Sequence, residues 1–251
     1  MYMGRVGTSV ESELLRELEG ARVLITGLTA SAGVDLARAF AEVKARLIIH
    51  TTDLSPEVTE LIAHLSQSAS EIRVYTDPFA TADTAVNFAR TASQAFGGLD
   101  AVINIATITP NDMAGVVSER DVESLVSKTL SPLAQLTRVT ANRMRVVLSE
   151  GMILNVLTMP QTGNGRHKAV AAIARATLAA MTSTEAKSWA DQAIRINAVG
   201  PRVFDNGKAP SGACLTSEPD IAALAIYLAS RRGKTLSGHI FDAEGVAARG
   251  C

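Results

Sequence analysis

The sequence predicts a single α/β domain in which a doubly wound parallel sheet lies between two layers of helices, a three-layer Rossmann-type fold. Short runs of Val, Ile and Leu recur along the chain, and a helix-like stretch follows most of them. Near-continuous apolar strands of this kind are typical of parallel sheets that are covered on both faces. A glycine-containing turn also joins the first apolar run to the first helix, as this fold class requires.

The first half of the chain carries four of the predicted strands. Each is rich in Val, Ile or Leu and ends near turn-forming residues, which is the pattern of a buried strand. These strands are residues 21–27, 45–52, 71–77 and 100–107. The stretches between them repeat apolar residues at helical spacing and predict helices at 32–43, 56–67 and 81–97.

The second half continues the alternation of strands and helices. A long helical region is predicted from about 119 to 150, and strands are predicted at 152–158, 193–200 and 238–244. Helices are predicted at 167–181 and 218–230. The first of these, HKAVAAIARATLAAM, is nearly all alanine around one arginine, Arg175.

Bulk composition excludes several classes of function. The 251 residues are 47% apolar and 20% charged, and 24 basic against 25 acidic residues give a net charge of −1. This balance argues against a nucleic-acid or acidic-membrane partner. Two cysteines are too few for a disulfide framework, and no apolar run reaches the roughly 18 residues of a membrane span. We therefore expect a cytoplasmic protein with an N-terminal extension at 1–19 and one domain at 20–251.

The turn after the first strand, TGLTASAG (26–33), is a candidate phosphate loop. In such loops, backbone N–H groups meet a pyrophosphate at the N-terminus of a helix. Gly27 can supply the tight turn, Gly33 can bring helix and strand close together, and Thr29 and Ser31 can add hydroxyl donors. A plain strand-to-helix turn also favours glycine and serine, so the loop by itself leaves both interpretations open.

Landmarks across residues 20–246 resemble the short-chain dehydrogenase/reductase family in order and interval. The loop TGLTASAG is similar to the family's Thr-Gly-x-x-x-Gly-x-Gly loop, with Ser31 in place of the middle glycine. The other matching segments are YTDPFA (75–80), LDAVINIATIT (99–109), DVESLVSKTLSPL (121–133), GMILNVLT (151–158), AIRINAVGPR (193–202), SEPDIAALAIYLAS (217–230) and LSGHIFDAEG (236–245).

The resemblance implies NAD or NADP as the cofactor. The positions that it assigns to cofactor binding are Gly27, Thr29, Ser31, Ala32, Gly33, Thr51, Asp77, Asn104, Ala106 and Arg175. Asp77 matches the aspartate that bonds the adenine ring, and Thr51 lies at the end of the second strand, where an acid would favour NAD. Asp53 follows two residues later and no arginine stands ready for a 2′-phosphate, so the choice between NAD and NADP stays open.

The family's hydride chemistry uses an asparagine, a serine, a tyrosine and a lysine, and the resemblance implies that all four are replaced. Thr129 falls on the asparagine, Thr158 on the serine, Ala171 on the tyrosine and Arg175 on the lysine. The change at Ala171 matters most, because alanine has no proton to donate and such groups contribute about 10²- to 10⁴-fold in rate. No tyrosine elsewhere in the chain begins a Tyr-x-x-x-Lys motif.

Further departures bear on the pocket. Thr107 and Arg202 each replace a family glycine, and only 18 positions separate Pro201 from Pro219, which is short for a substrate lid. His167 and Lys168 lie about one turn before Ala171 and offer a replacement proton donor. The favoured interpretation of these two residues is a solvated start of the helix.

Two functions follow from this pattern. The first is a family homologue without standard hydride transfer, which binds NAD(P) or serves as a scaffold or non-catalytic subunit. The resemblance implies a homodimer or homotetramer through the long helices, or a hetero-oligomer with an active relative. The alternative is an active NAD(P)-dependent oxidoreductase of a carbonyl or alcohol that uses Thr158, Arg175 and a donor such as Lys168. No metal enters either hypothesis.

Overall fold

Seven parallel strands form one sheet, which confirms the predicted fold class. The computed structural model describes residue 13 and residues 16–79, 81–147, 150–160, 165–203 and 214–244. The strands are β1 (Arg22–Thr26), β2 (Arg46–His50), β3 (Glu71–Tyr75), β4 (Ala101–Thr107), β5 (Gly151–Thr158), β6 (Ile194–Pro201) and β7 (Ile240–Ala243). They pair in the order β3-β2-β1-β4-β5-β6-β7. The strands β2 and β3 therefore lie on one side of β1 and β4 to β7 on the other, so the strand order reverses between β1 and β4.

Helices cover both faces of this sheet. They are α1 (Val34–Glu42), α2 (Pro56–Ser68), α3 (Ala82–Ala95), α4 (Pro110–Ala114), α5 (Glu119–Val146), α6 (Gly165–Trp189) and α7 (Glu218–Ala229). The short helix α4 lies in a stretch where the sequence predicts no element. In the part of the chain that the structure describes, no helix has the length and apolar content needed to cross a membrane.

Local sequence signals fix where several helices begin. In a capping box, a Ser or Thr side chain and the side chain three residues later satisfy each other's backbone N–H groups. Such boxes start α3, α4, α5 and α7, with the pairs Thr81–Thr84, Thr109–Asp112, Ser118–Asp121 and Ser217–Asp220. Helix α1 lacks this device, because Gly33 occupies its N-cap position and offers no side chain.

The core lies on both faces of the central strands. Along β1, Val23 and Ile25 pack with α1 and α7 on one face, while Leu24 packs with the α3–α5 side on the other. Leu18, at the end of the predicted extension, is only 4% exposed and joins the first of these clusters. The edge strand β3 is more exposed, which explains why its sequence EIRVY mixes charged and apolar residues.

The parallel register brings the strand ends to one edge of the sheet. Thr26 at the end of β1 lies opposite Asn104 of β4, and Thr107 at the end of β4 lies opposite Thr158 of β5. In open α/β sheets, ligands bind outside the carboxyl ends of the strands, where the strand order reverses. The candidate site therefore lies above β1, β4 and β5.

Candidate functional site

Two glycines set the path of the loop between β1 and α1. Gly27 and Gly33 have φ values of +77° and +86°, in the left-handed region that side chains disfavour. A Cβ atom on Gly27 would lie 2.1 Å from the carbonyl oxygen of Ile105, and one on Gly33 would lie 2.6 Å from the Ile105 Cδ1 atom. Gly27 is therefore required for the loop to pack on β4, whether or not a ligand binds, whereas a side chain at Gly33 is disfavoured mainly by its positive φ.

The polar groups of this loop bond mainly to one another. The Thr29 N–H donates to the Ala32 carbonyl over 2.9 Å, and the Ala32 N–H returns a longer bond of 3.4 Å to the Thr29 carbonyl. The Ser31 N–H donates to the Thr29 hydroxyl over 3.3 Å, and the two hydroxyl oxygens of these residues are 3.3 Å apart. The Thr29 and Ser31 amides thus have acceptors within the loop, and one of the two hydroxyls donates to the other.

Asp53 satisfies the remaining amide at the tip of the loop. Its carboxylate accepts the Ala30 N–H over 2.9 Å and the Ser55 N–H over 3.0 Å. The bond from Ala30 is the main reason that the pKa of Asp53 is lowered from its ordinary value. Thr51, which is 1% exposed, exchanges hydrogen bonds with the Asp53 backbone. Its hydroxyl is therefore used locally.

Glu218, the first residue of α7, provides the cap that α1 lacks. The Asp35 N–H in the first turn of α1 donates to Glu218 Oε1 over 2.9 Å. The N-terminus of α7 does not need this carboxylate, because Asp220 accepts the N–H groups of Thr216 and Ser217 there. Burial raises the pKa of Glu218, while the bond from the Asp35 N–H opposes that shift.

Little space remains between this carboxylate and the end of β5. A cavity of about 10 Å³ lies there, and its walls include Ser31, Gly33, Thr158 and Glu218. A void of about 10–15 Å³ holds a single water molecule. The space on the β5 side of Glu218 is therefore too small for a phosphate group, while a groove of about 540 Å³ lies on the other side of Ser31 and Glu218.

The positions assigned to proton transfer carry no ionisable proton donor. Ala171, at the tyrosine position, is 9% exposed and packs in an apolar cluster with neighbours such as Leu157 and Met159. The Thr158 hydroxyl lies 3.0 Å from the Thr107 hydroxyl, and the two form a pair at the strand ends. The Thr129 hydroxyl donates to the Leu125 carbonyl of its own helix over 2.8 Å. Three of the four positions therefore hold no acid or base.

The fourth position is occupied by an ion pair. Arg175 donates from Nε and Nη2 to one oxygen of Asp242, over 2.9 Å and 2.6 Å. Asp242 belongs to β7, so this contact joins α6 to the edge of the sheet. Arg202 makes a comparable pair with Glu244 over 2.7 Å. Arg175 and Arg202 are thus each paired with a carboxylate, on Asp242 and Glu244.

A buried polar network supports the strands beneath the site. Asn104 is fully buried, and its amide accepts from the Thr26 hydroxyl over 3.1 Å and donates to Asn155 over 2.9 Å. Asn155 also accepts the Thr137 hydroxyl over 3.0 Å. These bonds tie β1, β4, β5 and α5 together, so Asn104 connects elements of the core. Ala106 is half-buried beside it on β4.

The adenine side of the predicted site contains an aromatic cluster. His50 stacks on Phe79 at a centroid distance of 4.0 Å, and its Nε2–H donates to the Asp77 carbonyl over 2.9 Å. Burial lowers the pKa of His50 from its ordinary value. The Asp77 side chain itself is exposed. Asp77 thus contributes its backbone to this cluster and leaves its carboxylate in solvent.

The remaining sequence expectations fall at the margins of the site. Lys168 is exposed in the first turn of α6, as the solvated interpretation predicts, and His167 is half-buried. Most of the short segment between Pro201 and Pro219 lies outside the described residues, as do residues 161–164 before α6. Within the described ranges, no group of three His, Cys, Asp or Glu side chains is placed to hold a metal ion.

Comparison with known proteins decides the family. The sequence profile of the family described as short chain dehydrogenase matches residues 21–210. This chain belongs to that family. The match covers the loop, all the family positions named above on β4, α5, β5 and α6, and the strand β6. This short-chain dehydrogenase homologue therefore has the family's framework over residues 21–210.

Relatives with assigned names are distant but span the whole fold. An uncharacterized oxidoreductase of Mycobacterium bovis is 27% identical, over 91% of this chain and 97% of the relative. A 2-dehydro-3-deoxy-D-gluconate 5-dehydrogenase of Bacillus subtilis is 24% identical, over 91% and 94%. The crystal structure of a short-chain type dehydrogenase/reductase from Mycobacterium marinum superposes with a TM-score of 0.72 at 16% identity, covering 93% and 97%. That structural likeness supports the fold.

Family members generally bind NAD(P), but the described residues of this homologue do not fit a dinucleotide. A pyrophosphate needs free donors at the loop and the start of α1, and carboxylates of Asp53 and Glu218 already bond there. Arg175 is likewise paired with Asp242. The carboxylates of Asp53 and Glu218 would repel a pyrophosphate at this distance. A dinucleotide could therefore enter only after the bonds of Asp53, Glu218 and Asp242 break.

Sequence reasoning did not single out the carboxylates that decide this result. Glu218, Asp242 and Glu244 each lie in segments that match the family, yet nothing in those segments marks them as partners of the cleft. The available signal was local: SEPD already contains a capping pair, Ser217 with Asp220, so Glu218 was a spare acid at a helix start. Its partner is 183 positions away in the chain.

Proposed function

We propose that this chain is a short-chain dehydrogenase homologue without hydride-transfer activity, which serves as a non-catalytic, assembling subunit. The observation that carries the proposal is Ala171, buried in an apolar cluster at the position that the resemblance assigns to the proton donor. General acid–base catalysis needs an ionisable group within hydrogen-bond reach of the reacting atom. Arg175 does not replace the lysine, because its guanidinium is held by Asp242.

Assembly through the long helices is the second part of the proposal. A groove of about 380 Å³ runs between α5 and α6, and its walls are mostly apolar or small residues such as Val126, Leu130, Ala134 and Thr177. Ile173 projects beside them with 41% of its surface exposed. A large apolar side chain on a face of small residues supports close helix pairing, and we propose a second copy of this chain as the occupant.

Turnover assays test the loss of chemistry. Purified protein is mixed with each of the four nicotinamide forms and a panel of aldehydes, ketones and alcohols, and the nicotinamide absorbance is followed. We expect no rate above that of the buffer, while an active family member in the same assay gives a clear signal.

Light scattering after size exclusion tests the assembly. We expect a dimer or tetramer for the natural sequence, and a monomer for Ile173→Glu, because a carboxylate would have to be buried between helices. Leu54→Glu is the matched control, since Leu54 is 73% exposed in the connection after β2. A natural protein that is monomeric at micromolar concentration would contradict this part of the proposal.

An active oxidoreductase with an altered site is the second candidate. The observation in its favour is the Thr107–Thr158 hydroxyl pair, which lies at the strand ends and could polarise a carbonyl. The names of the relatives also fit an active enzyme. If the assays reveal turnover that Thr158→Val abolishes and Thr129→Val leaves unchanged, this candidate replaces the first one.

A further inference from the structure

The N-terminus of α1 is the anion-binding position of this fold, and here an internal anion is already bonded to it. Helix N-termini favour negative charge for two reasons. Their first N–H groups have no partners within the helix, and the positive end of the helix dipole lies there. Gly33 supplies no capping side chain, and the Asp35 N–H is instead satisfied by Glu218. Glu218 reaches across from α7, which has its own capping pair.

We propose that the Glu218 carboxylate occupies the pyrophosphate position at the start of α1, so that this side chain, rather than the loop, excludes the dinucleotide. The proposal deepens the proposed function and rests on it, because it gives a reason why a homologue without hydride transfer would not bind the family's nicotinamide cofactor. The adjoining cavity supports the proposal, because its volume is about 10 Å³ and Glu218 lies in its wall.

Loop geometry does not account for the exclusion. The positive φ values of Gly27 and Gly33 leave the loop on the path that close packing against β4 requires. The first turn of α1 has a helical backbone, and its Asp35 N–H is bonded to Glu218. Removing the carboxylate should therefore leave an anion site that inorganic pyrophosphate, a phosphate-containing probe without adenine or nicotinamide, can enter.

Calorimetric titration of the full chain with inorganic pyrophosphate and with NADH tests this directly. We expect Glu218→Ala to bind pyrophosphate at least tenfold more tightly than the natural protein. Glu60→Gln is the matched control, because Glu60 lies in the wall of the groove that also contains Glu218 and is exposed. That variant removes the same charge without touching an α1 amide, so its affinity should not change.

Two results would overturn the proposal: natural protein that binds NADH or pyrophosphate as tightly as Glu218→Ala, or an equal gain in Glu60→Gln. Should the alanine variant fail to fold, Glu218→Gln takes its place under the same criteria, since it keeps the shape of the side chain. Binding of NADH without any turnover would refute this inference alone, whereas turnover would refute the proposed function.

Amide hydrogen exchange reads the contact itself in the natural protein. The Asp35 amide should exchange slowly because it is bonded to Glu218, and it should exchange faster in Glu218→Ala. Glu60→Gln should exchange at the natural rate. Equal exchange at Asp35 in all three proteins would show that the carboxylate does not hold the start of α1, and would overturn the proposal.

Discussion

At the end of β1 the chain has the backbone of a phosphate loop, whereas at the end of β5 and on α6 the positions that the resemblance assigns to the family's reactive side chains hold Thr158, Ala171 and Arg175. The loop has Gly27 and Gly33 at positive φ, and its Thr29 and Ala32 amides donate hydrogen bonds to carbonyl groups of the same loop. On α6, Ala171, at the position that the resemblance assigns to the proton donor, packs into an apolar cluster. The two regions differ because packing on β4 requires Gly27, while no packing contact requires a tyrosine or lysine.

Gly27→Ala should cause the largest loss of stability, because it disrupts the close packing of the loop on β4. The new Cβ would overlap the Ile105 carbonyl oxygen at 2.1 Å, in a backbone conformation with φ of +77°. Left-handed strain and overlap together should cost about 3 kcal/mol of the free energy of unfolding, measured by denaturant titration. Gly165→Ala is the control, since nothing lies within 4 Å of its added Cβ. Equal stability of the two variants would contradict the packing explanation.

Ala171→Tyr should come second, because it reintroduces the family's side chain where the cluster has closed around alanine. Overpacking of this kind typically costs about 1–3 kcal/mol in the free energy of unfolding. We expect no hydride transfer from this variant, alone or combined with Arg175→Lys, because neither change frees the start of α1. Recovery of turnover in the double variant would contradict this expectation, because it would show that restoring two side chains on α6 is enough for hydride transfer.

The ion pair between Arg175 and Asp242 should contribute less. Both side chains are about one-third exposed, with values of 30% and 32%, so solvent screens their attraction. A double-mutant cycle with Arg175→Met and Asp242→Asn should give a coupling energy of about 0.5–1 kcal/mol in the free energy of unfolding. Zero coupling would mean that Arg175 is free to serve a ligand.

The framework of this molecule was accessible from sequence because it depends on local patterns. The strand at Gly151–Thr158 is buried along its whole length, and its mostly apolar sequence predicts that. The helix α6 was also predicted from spacing, and the structure places Ala171 and Arg175 on it. The start of α3 was predicted from helical spacing to within one residue, and the structure shows a capping box of Thr81 and Thr84 there.

The polar contacts of the site were not accessible in this way. Glu218 and Asp35 are 183 positions apart, and Arg175 and Asp242 are 67 apart, so no local rule pairs them. Arg175 was assigned to the cofactor because the family places a cation there. Its actual partner depends on where β7 lies, which only the folded sheet determines. Asn104 was likewise assigned from its motif, although its amide is used inside the core.

Glu218→Gln should have the smallest effect on stability and the clearest dependence on pH. Because burial raises the pKa of Glu218 in the folded protein, folding favours the protonated form. Stability should therefore fall as pH rises from the ordinary range of a glutamate through the higher pKa of the folded state. The glutamine variant should lack this slope and differ by less than about 1 kcal/mol at neutral pH, in unfolding curves collected across that range. An identical slope in both proteins would contradict the assignment.

The most direct test of the whole account is a calorimetric titration of the natural protein with NADH. Internal carboxylates at the loop, at α1 and on Arg175 predict no saturable heat up to millimolar cofactor. Saturable binding at micromolar cofactor would contradict the claim that internal carboxylates already bond the polar groups at this edge of the sheet.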